Sequence, residues 1–194
     1  MSIRVIAGSA KGRQLKLVPG DTTRPIMDRV KESLFNIIGQ DIVDSVFLDL
    51  FAGTGSVGIE ALSRGAQKAY FVETEKIAVQ TIEANLKTTR LADRAVVRRA
   101  DVFTLLGQPP PEQFDYIYVA PPQYKGLWIR TLELLDANSR WLLEDTIVIV
   151  QIDPSELQPT NTQRLLEYDR RKYGKTLLLF YQASGNQQDE ESTS

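Results

Sequence analysis

A glycine-rich turn that follows a short apolar run holds the residues with the clearest chemical potential in this sequence. The pattern Gly53-x-Gly55-x-x-Gly58 lies between an apolar run at 46–48 and an amphipathic run, which is the strand, turn and helix order of a nucleotide-binding loop. Asp49 stands at the front of this turn. Glu73 ends the next apolar run, where a carboxylate can accept hydrogen bonds from both hydroxyls of an adenosine ribose.

The carboxylate of Asp49 discriminates between the ligands that such a turn can hold. A dinucleotide would place its pyrophosphate over the turn, and an ionised carboxylate ~4 Å from a phosphate charge would cost about 4 kcal/mol at an effective dielectric near ~20. S-adenosylmethionine has no phosphate, and its α-amino and sulfonium cations would be attracted to the same carboxylate. The alternative is that Asp49 only caps the turn and that the glycines only let a helix pack closely on a sheet.

Composition predicts one domain and narrows the chemistry. The chain has 194 residues, of which 42% are hydrophobic and 25% charged, and it has neither cysteine nor histidine. Thiolate nucleophiles, the commonest zinc ligand and the commonest general base are therefore missing, which disfavours an NAD-dependent oxidoreductase. Methyl transfer from a sulfonium needs positioning more than a strong nucleophile, and we expect no metal.

Location follows from hydropathy. Basic residues interrupt the first eighteen residues, so no secretory signal is evident, and no apolar run approaches the length of a membrane span. We therefore expect a cytoplasmic protein that is independent of membranes. Separately, we expect the protein to act as a monomer.

Charge is distributed unevenly along the chain. Residues 1–31 contain seven basic and two acidic residues, which gives this segment a net charge of +5. Because the whole chain has a net charge of −2, the remainder has a net charge of −7. Such a basic arm on an acidic body predicts a contact with a phosphate backbone, the alternative being a merely solvated hairpin. The candidate RNA contacts are Arg4, Lys11, Arg13, Arg24, Arg29 and Lys31.

The order of the periodic segments predicts the fold. Period-two alternation around Gly8 and Gly12 indicates an N-terminal hairpin, and a helical pattern follows Asp28 and stops at Gly39. Strand-like runs then alternate with helical runs, which indicates an α/β fold with a mostly parallel, doubly wound sheet. Two final runs read as an antiparallel hairpin. The predicted strands are 46–50, 69–73, 95–99, 116–119, 147–152, 164–168 and 175–181.

Asp101 follows the third of these strands. In a sheet wound this way that strand end lies beside the adenine, where a carboxylate can accept a hydrogen bond from the exocyclic amine. Asp101 also precedes a helical run at 102–106, so it is equally a candidate helix N-cap, and one side chain can do both.

The segment Ala120-Pro121-Pro122-Gln123-Tyr124 is where the chain most clearly resembles a known family. Together with the glycine loop, Thr23-Arg24-Pro25 and the stretch 28–36, it is similar to the guanine-N2 methyltransferases of small-subunit ribosomal RNA. The resemblance implies a Rossmann-like methyltransferase with strand order 3-2-1-4-5-7-6 and a small N-terminal hairpin for RNA contact. We therefore expect a basic hairpin at 1–22 and a cofactor domain at 23–183. The tail at 184–194 is acidic and has no periodicity, so we expect it to be disordered.

The resemblance also implies roles for individual residues. Arg24 and Asp28 match a motif near the active site, and the base-facing candidates are Ala120, Pro121, Pro122 and Tyr124. The partner is implied to be ribosomal RNA or the small ribosomal subunit. The residues expected to bind S-adenosylmethionine are Asp49, Phe51, Ala52, Gly53, Thr54, Gly55, Glu73, Thr74, Asp101 and Val102.

The catalytic motif departs from the family pattern at two positions. The family has Asp or Asn before the two prolines and an aromatic residue after them, whereas this chain has Ala120 and Gln123. A backbone carbonyl at Ala120 or Pro121 can replace the acceptor, and Tyr124, one position later, can stack on the base. The alternative function is a weakly active or inactive assembly factor that binds cofactor and RNA.

Overall fold

A central sheet flanked by helices positions the predicted functional residues. The computed structural model describes residues 3–20 and 25–184. Within them, seven strands form one sheet in the order β5-β4-β3-β6-β7-β9-β8, and a separate two-stranded hairpin precedes it. Helices cover both faces of the sheet. In these two ranges, no helix has the length and apolar character needed to cross a membrane.

Strands and helices alternate along most of the chain. The strands are β1 (Ile3–Arg4), β2 (Gln14–Leu15), β3 (Val46–Leu50), β4 (Lys68–Glu73), β5 (Ala95–Arg99), β6 (Tyr116–Val119), β7 (Ile147–Ile152), β8 (Leu165–Tyr173) and β9 (Thr176–Ala183). The α-helices are α1 (Asp28–Ile38), α2 (Ser56–Ser63), α3 (Lys76–Thr89), α4 (Val102–Leu106) and α5 (Leu127–Ala137). Short 3-10 turns include Gly39–Ile42 and Pro154–Glu156.

The predicted fold class and strand order are confirmed. Numbered within the sheet alone, the observed order is 3-2-1-4-5-7-6, with the first five strands parallel and β9 antiparallel to both of its neighbours. The final hairpin is longer than predicted, because β8 runs to Tyr173 and the turn is only Gly174 and Lys175. The residues 1–2, 21–24 and 185–194 lie outside the described part of the chain, as does most of the predicted tail.

The core consists of two layers, one on each face of the sheet. Buried side chains of α1, α2 and α3 pack on one face together with apolar residues of the N-terminal hairpin, among them Ile3, Val5 and Leu15. On the other face, α4 and α5 bury residues such as Leu106, Trp128 and Leu132 against the strands. The hairpin is therefore part of the same packed body as the cofactor loop, and its position relative to that loop is fixed.

Candidate functional site

The glycine-rich turn connects β3 to α2 at the carboxyl edge of the sheet, where α/β folds bind their ligands. Gly55 immediately precedes α2 with φ +75°, a left-handed conformation that side chains rarely adopt. At Gly58 a Cβ atom would lie 2.4 Å from Cε1 of Phe71 on β4, so only glycine allows α2 to approach the sheet this closely. The two glycines thus bring the amino end of α2 to the loop, where the N–H of Ser56 donates to the hydroxyl of Thr54 at 3.3 Å.

Asp49 lies beneath this turn and is almost fully buried. Its Oδ2 accepts a hydrogen bond of 3.0 Å from the N–H of Gly58. Burial raises the pKa of Asp49 well above its ordinary value, and the charge of Glu73 raises it further, against the effect of the Gly58 hydrogen bond. Within residues 3–20 and 25–184, no lysine or arginine forms an ion pair with Asp49. A bound cation would therefore stabilise the ionised form of Asp49.

Glu73, at the end of β4, is held by the backbone of the loop. Its Oε2 accepts from the N–H of Gly53 at 2.9 Å and its Oε1 from the N–H of Thr74 at 2.8 Å. Oε1 also accepts from the N–H of Glu75 at 3.2 Å and from the hydroxyl of Thr74 at 3.4 Å. Oε2 accepts only from Gly53, so it keeps a lone pair for a hydroxyl group of a ligand. Glu73 is half-buried and Thr74 exposed, which leaves this end of the loop open to solvent.

The remaining loop residues lie along the same rim. Phe51 has a left-handed backbone, φ 62°, and Ala52 closes the loop by donating its N–H to Val72 at 3.0 Å. The carbonyl of Thr54 accepts from Asn85 at 2.9 Å. The loop predicted from the sequence is thus assembled in one place.

Asp101 is the N-cap of α4, which is one of the two roles predicted for it. Its Oδ1 accepts from the N–H of Thr104 at 2.8 Å, and hydrogen bonds of this kind lower the pKa of Asp101. The side chain remains exposed at the end of β5, while its neighbour Val102 is buried. Phe103 and Arg130, which the sequence reasoning missed, lie near Asp101. The Arg130 guanidinium stacks on the Phe103 ring, 3.9 Å from its centre. This contact joins α4 to α5, which sequence spacing does not reveal.

The proline-containing segment leaves β6 beside the glycine loop. Ala120 is half-buried, Pro121 is buried, and Pro122 and Tyr124 are exposed, the latter by 68%. Tyr124 has a left-handed backbone, φ 62°, and its N–H donates to Oε2 of Glu156 at 2.7 Å. Glu156 is buried, and sequence reasoning missed it because its partner is 32 residues away. Its carboxylate fixes where the segment turns.

The basic arm gives a mixed result for the predicted RNA contacts. Lys11, Arg13 and Arg29 are exposed, although Arg13 also donates to the carbonyl of Thr88 at 3.1 Å. Arg4 is exposed and forms a 3.0 Å ion pair with Asp28. Arg24 lies outside the described residues.

The prediction that Lys31 contacts RNA is wrong for this structure. Its side chain is only 1% exposed, and its Nζ donates to the carbonyl of Arg4 at 2.6 Å and to Oγ of Ser56 at 2.9 Å. Glu60 Oε2 lies 3.4 Å away. Burial lowers the pKa of Lys31, and the Glu60 carboxylate offsets part of this effect. Lys31 is therefore an internal tie between the arm, α1 and the first residue of α2.

Two further buried groups, which the sequence reasoning missed, hold the arm against the cofactor loop. Glu60 on α2 accepts from the N–H groups of Ile6 and Ala7 at 2.9 and 3.0 Å. Asn85 on α3 accepts from the N–H of Lys16 at 2.7 Å and donates to the carbonyl of Thr54 in the glycine loop. Both residues lie on helices whose pattern predicts only packing, so local sequence gave no signal for these long-range bonds.

Comparison with known proteins identifies the family. The model of the family described as conserved hypothetical protein 95 matches residues 3–182. YlbH of Bacillus subtilis is 40% identical over 94% of this chain and all of that protein. Ribosomal RNA small subunit methyltransferase D of Escherichia coli is 35% identical over 81% of this chain and 78% of that protein. The solved structure of yhhF from Escherichia coli has a TM-score of 0.83 and 33% identity, and covers 95% of this chain and 99% of that one. The chain therefore belongs to the conserved hypothetical protein 95 family, together with the small subunit ribosomal RNA methyltransferase D proteins.

Proposed function

We propose that this protein transfers a methyl group from S-adenosylmethionine to the exocyclic N2 of a guanine in small-subunit ribosomal RNA. The single observation that carries the cofactor assignment is the pair of carboxylates at the glycine loop, Asp49 beneath it and Glu73 beside it. The family relationship to small-subunit methyltransferase D supports the substrate class.

The residues present fit this cofactor better than a dinucleotide. A buried carboxylate without an ion-pair partner is stabilised by a bound cation and destabilised by a phosphate. Oε2 of Glu73 keeps a lone pair for a ribose hydroxyl, and Asp101 is exposed at the strand end expected to face the adenine. When bound, S-adenosylmethionine supplies an electrophilic methyl group on a positively charged sulfur. A single copy of the chain contains all of these groups.

The segment after β6 would position the base. The guanine amine forms a bond to the methyl carbon, the electrons of the carbon–sulfur bond return to sulfur, and the proton lost from the methylated amine passes to solvent water. The carbonyl of Ala120 or Pro121 would accept a hydrogen bond from that amine and orient its lone pair. Tyr124, held by Glu156 through its backbone, would stack on the exposed base, which is worth ~1–3 kcal/mol. The base must be unpaired or flipped out to reach this segment.

One observation favours a second candidate function, a cofactor- and RNA-binding assembly factor without efficient catalysis. Ala120 has no side-chain acceptor, and Gln123 stands where the family has an aromatic residue. Loss of one such acceptor typically costs on the order of a hundredfold in rate. Both candidates bind the cofactor and the RNA, so only the rate of methyl transfer separates them.

Cofactor affinity is expected to depend on the ionisation of Asp49. Because burial raises the pKa of this carboxyl, it is protonated at low pH and becomes a carboxylate as pH rises through that raised pKa. S-adenosylmethionine should therefore bind more tightly with rising pH, and binding within this window should release a proton. Asp49→Asn should weaken binding roughly ten- to a hundredfold and remove the pH dependence. Titration calorimetry in two buffers of different ionisation enthalpy measures both effects.

The matched control for this experiment is Asp93→Asn, which removes an exposed carboxylate on the 3-10 turn before β5. It should leave affinity and proton release unchanged. Equal affinity of Asp49→Asn and the unchanged protein at every pH would contradict the role given to Asp49. Binding of NADH in place of S-adenosylhomocysteine would contradict the cofactor.

The basic arm is expected to bind RNA without contributing to the cofactor pocket. Replacing Lys11 and Arg13 by Glu should weaken binding to small ribosomal subunits by at least about tenfold, because two phosphate contacts become repulsive. S-adenosylhomocysteine affinity should stay within twofold. Lys11→Glu alone can be compared with Arg140→Glu, which changes the net charge equally at an exposed site after α5. Filter binding measures the RNA affinity of all three variants. Unchanged RNA affinity of the Lys11 and Arg13 double variant would refute the assignment of these two residues to RNA binding.

A further inference from the structure

A second basic surface lies at the tip of the hairpin formed by β8 and β9. The hairpin tip, residues 170–175, contains Arg170, Arg171, Lys172 and Lys175 and no acidic residue. All four side chains are exposed. The acidic remainder of the chain makes this concentration of positive charge unusual, and none of the RNA contacts assigned above includes it.

The topology places this tip on the same rim as the base-facing segment. β9 is antiparallel to β7, with Leu177 opposite Ile152, and Lys172 of β8 lies opposite Leu177. The turn between β8 and β9 therefore lies at the carboxyl edge of the parallel strands. In the sheet order β6-β7-β9-β8, the tip is two to three strands from β6, or roughly 10–15 Å at the usual strand spacing.

The turn that follows β7 connects the neighbourhood of the tip to Tyr124. Ile152 is followed by Asp153 and the 3-10 turn Pro154–Glu156, and Glu156 binds the N–H of Tyr124 at 2.7 Å. Hydrogen bonds from Ser155 lower the pKa of Asp153, and the nearby charge of Lys175 contributes to the same shift. Because Ile152 pairs with Leu177 near the start of β9, Lys175 lies close to the turn that follows β7 and anchors the base-facing segment.

The two lysines of the tip are the side chains available to a new partner. Arg170 and Arg171 are paired with Glu167 and Asp169 of their own strand at 2.6 and 3.0 Å. Within the described ranges 3–20 and 25–184, neither Lys172 nor Lys175 forms an ion pair. The two-residue turn and the packing of Tyr173 against the core hold the tip in place.

We propose that the hairpin tip, through Lys172 and Lys175, binds the phosphate backbone of the RNA that carries the target base. This inference rests on the proposed function, because the substrate that delivers a base to Tyr124 must cover the surrounding rim. The N-terminal arm packs on α2 and α3 beside the glycine loop, and the tip lies on the opposite side of β6. The arm and the tip together would hold the RNA on both sides of the base.

The test compares variants in binding to small ribosomal subunits isolated from a strain that lacks this methylation. Lys172→Gln with Lys175→Gln should weaken binding about tenfold at ~0.15 M salt and reduce the slope of log affinity against log salt by about 1.4–1.8. Arg140→Glu, which changes the net charge by the same amount, should leave both quantities unchanged. In methyl transfer, the double variant should raise KM for subunits and leave kcat within twofold, since neither lysine touches the reacting atoms.

The possible outcomes separate this inference from the function on which it rests. Binding and methyl transfer by the unchanged protein, with no loss in the double variant, would overturn the role of the tip alone. Equal losses in the double variant and Arg140→Glu would show a general charge effect and also overturn it. Failure of the unchanged protein to bind the subunits would overturn both the function and the inference.

Discussion

Replacing Glu60 by glutamine is expected to lower the free energy of unfolding by about 3–5 kcal/mol, the usual cost of breaking a buried ion pair. Glu60 is fully buried and has four partners: the N–H groups of Ile6 and Ala7, the guanidinium of Arg64, and the Nζ of Lys31 at 3.4 Å. Without the charge, Lys31 would remain buried beside a neutral amide. The midpoint of urea unfolding measures the loss.

The control for this experiment is Glu83→Gln, the same change at an exposed position of α3. It should alter stability by less than about 0.5 kcal/mol. If Glu60→Gln changed the free energy of unfolding as little as Glu83→Gln, the buried network around Glu60 would not anchor the arm. Lys31→Met should be milder than Glu60→Gln, because Glu60 keeps Arg64 as a cationic partner at 2.8 Å.

Restoring the family motif is expected to raise the rate of methyl transfer. Ala120→Asp with Gln123→Tyr supplies an acceptor for the target amine and an aromatic face after the two prolines. If the present chain lacks an efficient acceptor, kcat should rise on the order of a hundredfold, with KM for the RNA substrate changing much less. Steady-state transfer of labelled methyl groups to small subunits measures both constants.

A size-matched variant isolates the contribution of the acceptor. Ala120→Leu with Gln123→Tyr has a side chain of similar shape to Asp but no oxygen, so it should show no gain in kcat. An unchanged kcat in the restored motif would instead indicate that the carbonyls of Ala120 and Pro121, with Tyr124, already fill these roles. The result therefore decides between an efficient enzyme and the assembly factor.

The sheet could be predicted because its strands are short apolar runs bounded by turn residues. The strands at 46–50, 95–99, 116–119 and 147–152 have the predicted limits, and the two glycines flanking Thr54 mark the turn that precedes α2. β8 was predicted too short because its exposed edge carries charged residues, Asp169 to Lys172, which the pattern does not distinguish from a loop. An edge strand has one solvated side, so hydrophobicity alone underestimates its length.

Residues whose roles depend on distant partners were the ones that sequence reasoning could not place. The basic residues around Lys31 predict that it contacts RNA, yet tertiary packing buries it against Glu60 and Ser56. Glu156 and Asn85 likewise look like ordinary polar residues on short or amphipathic elements. Their bonds to Tyr124 and Thr54 span 32 and 31 residues, and only the folded chain brings these groups together.

The most direct test of the proposed function is to identify the product of the unchanged protein. Small ribosomal subunits that lack the native methylation would be incubated with methyl-labelled S-adenosylmethionine, and the RNA digested to nucleosides. The proposal predicts label in N2-methylguanosine, accumulated over many turnovers. Label in any other nucleoside would contradict the assigned target atom, and no label despite demonstrated binding of cofactor and subunits would contradict the enzymatic function.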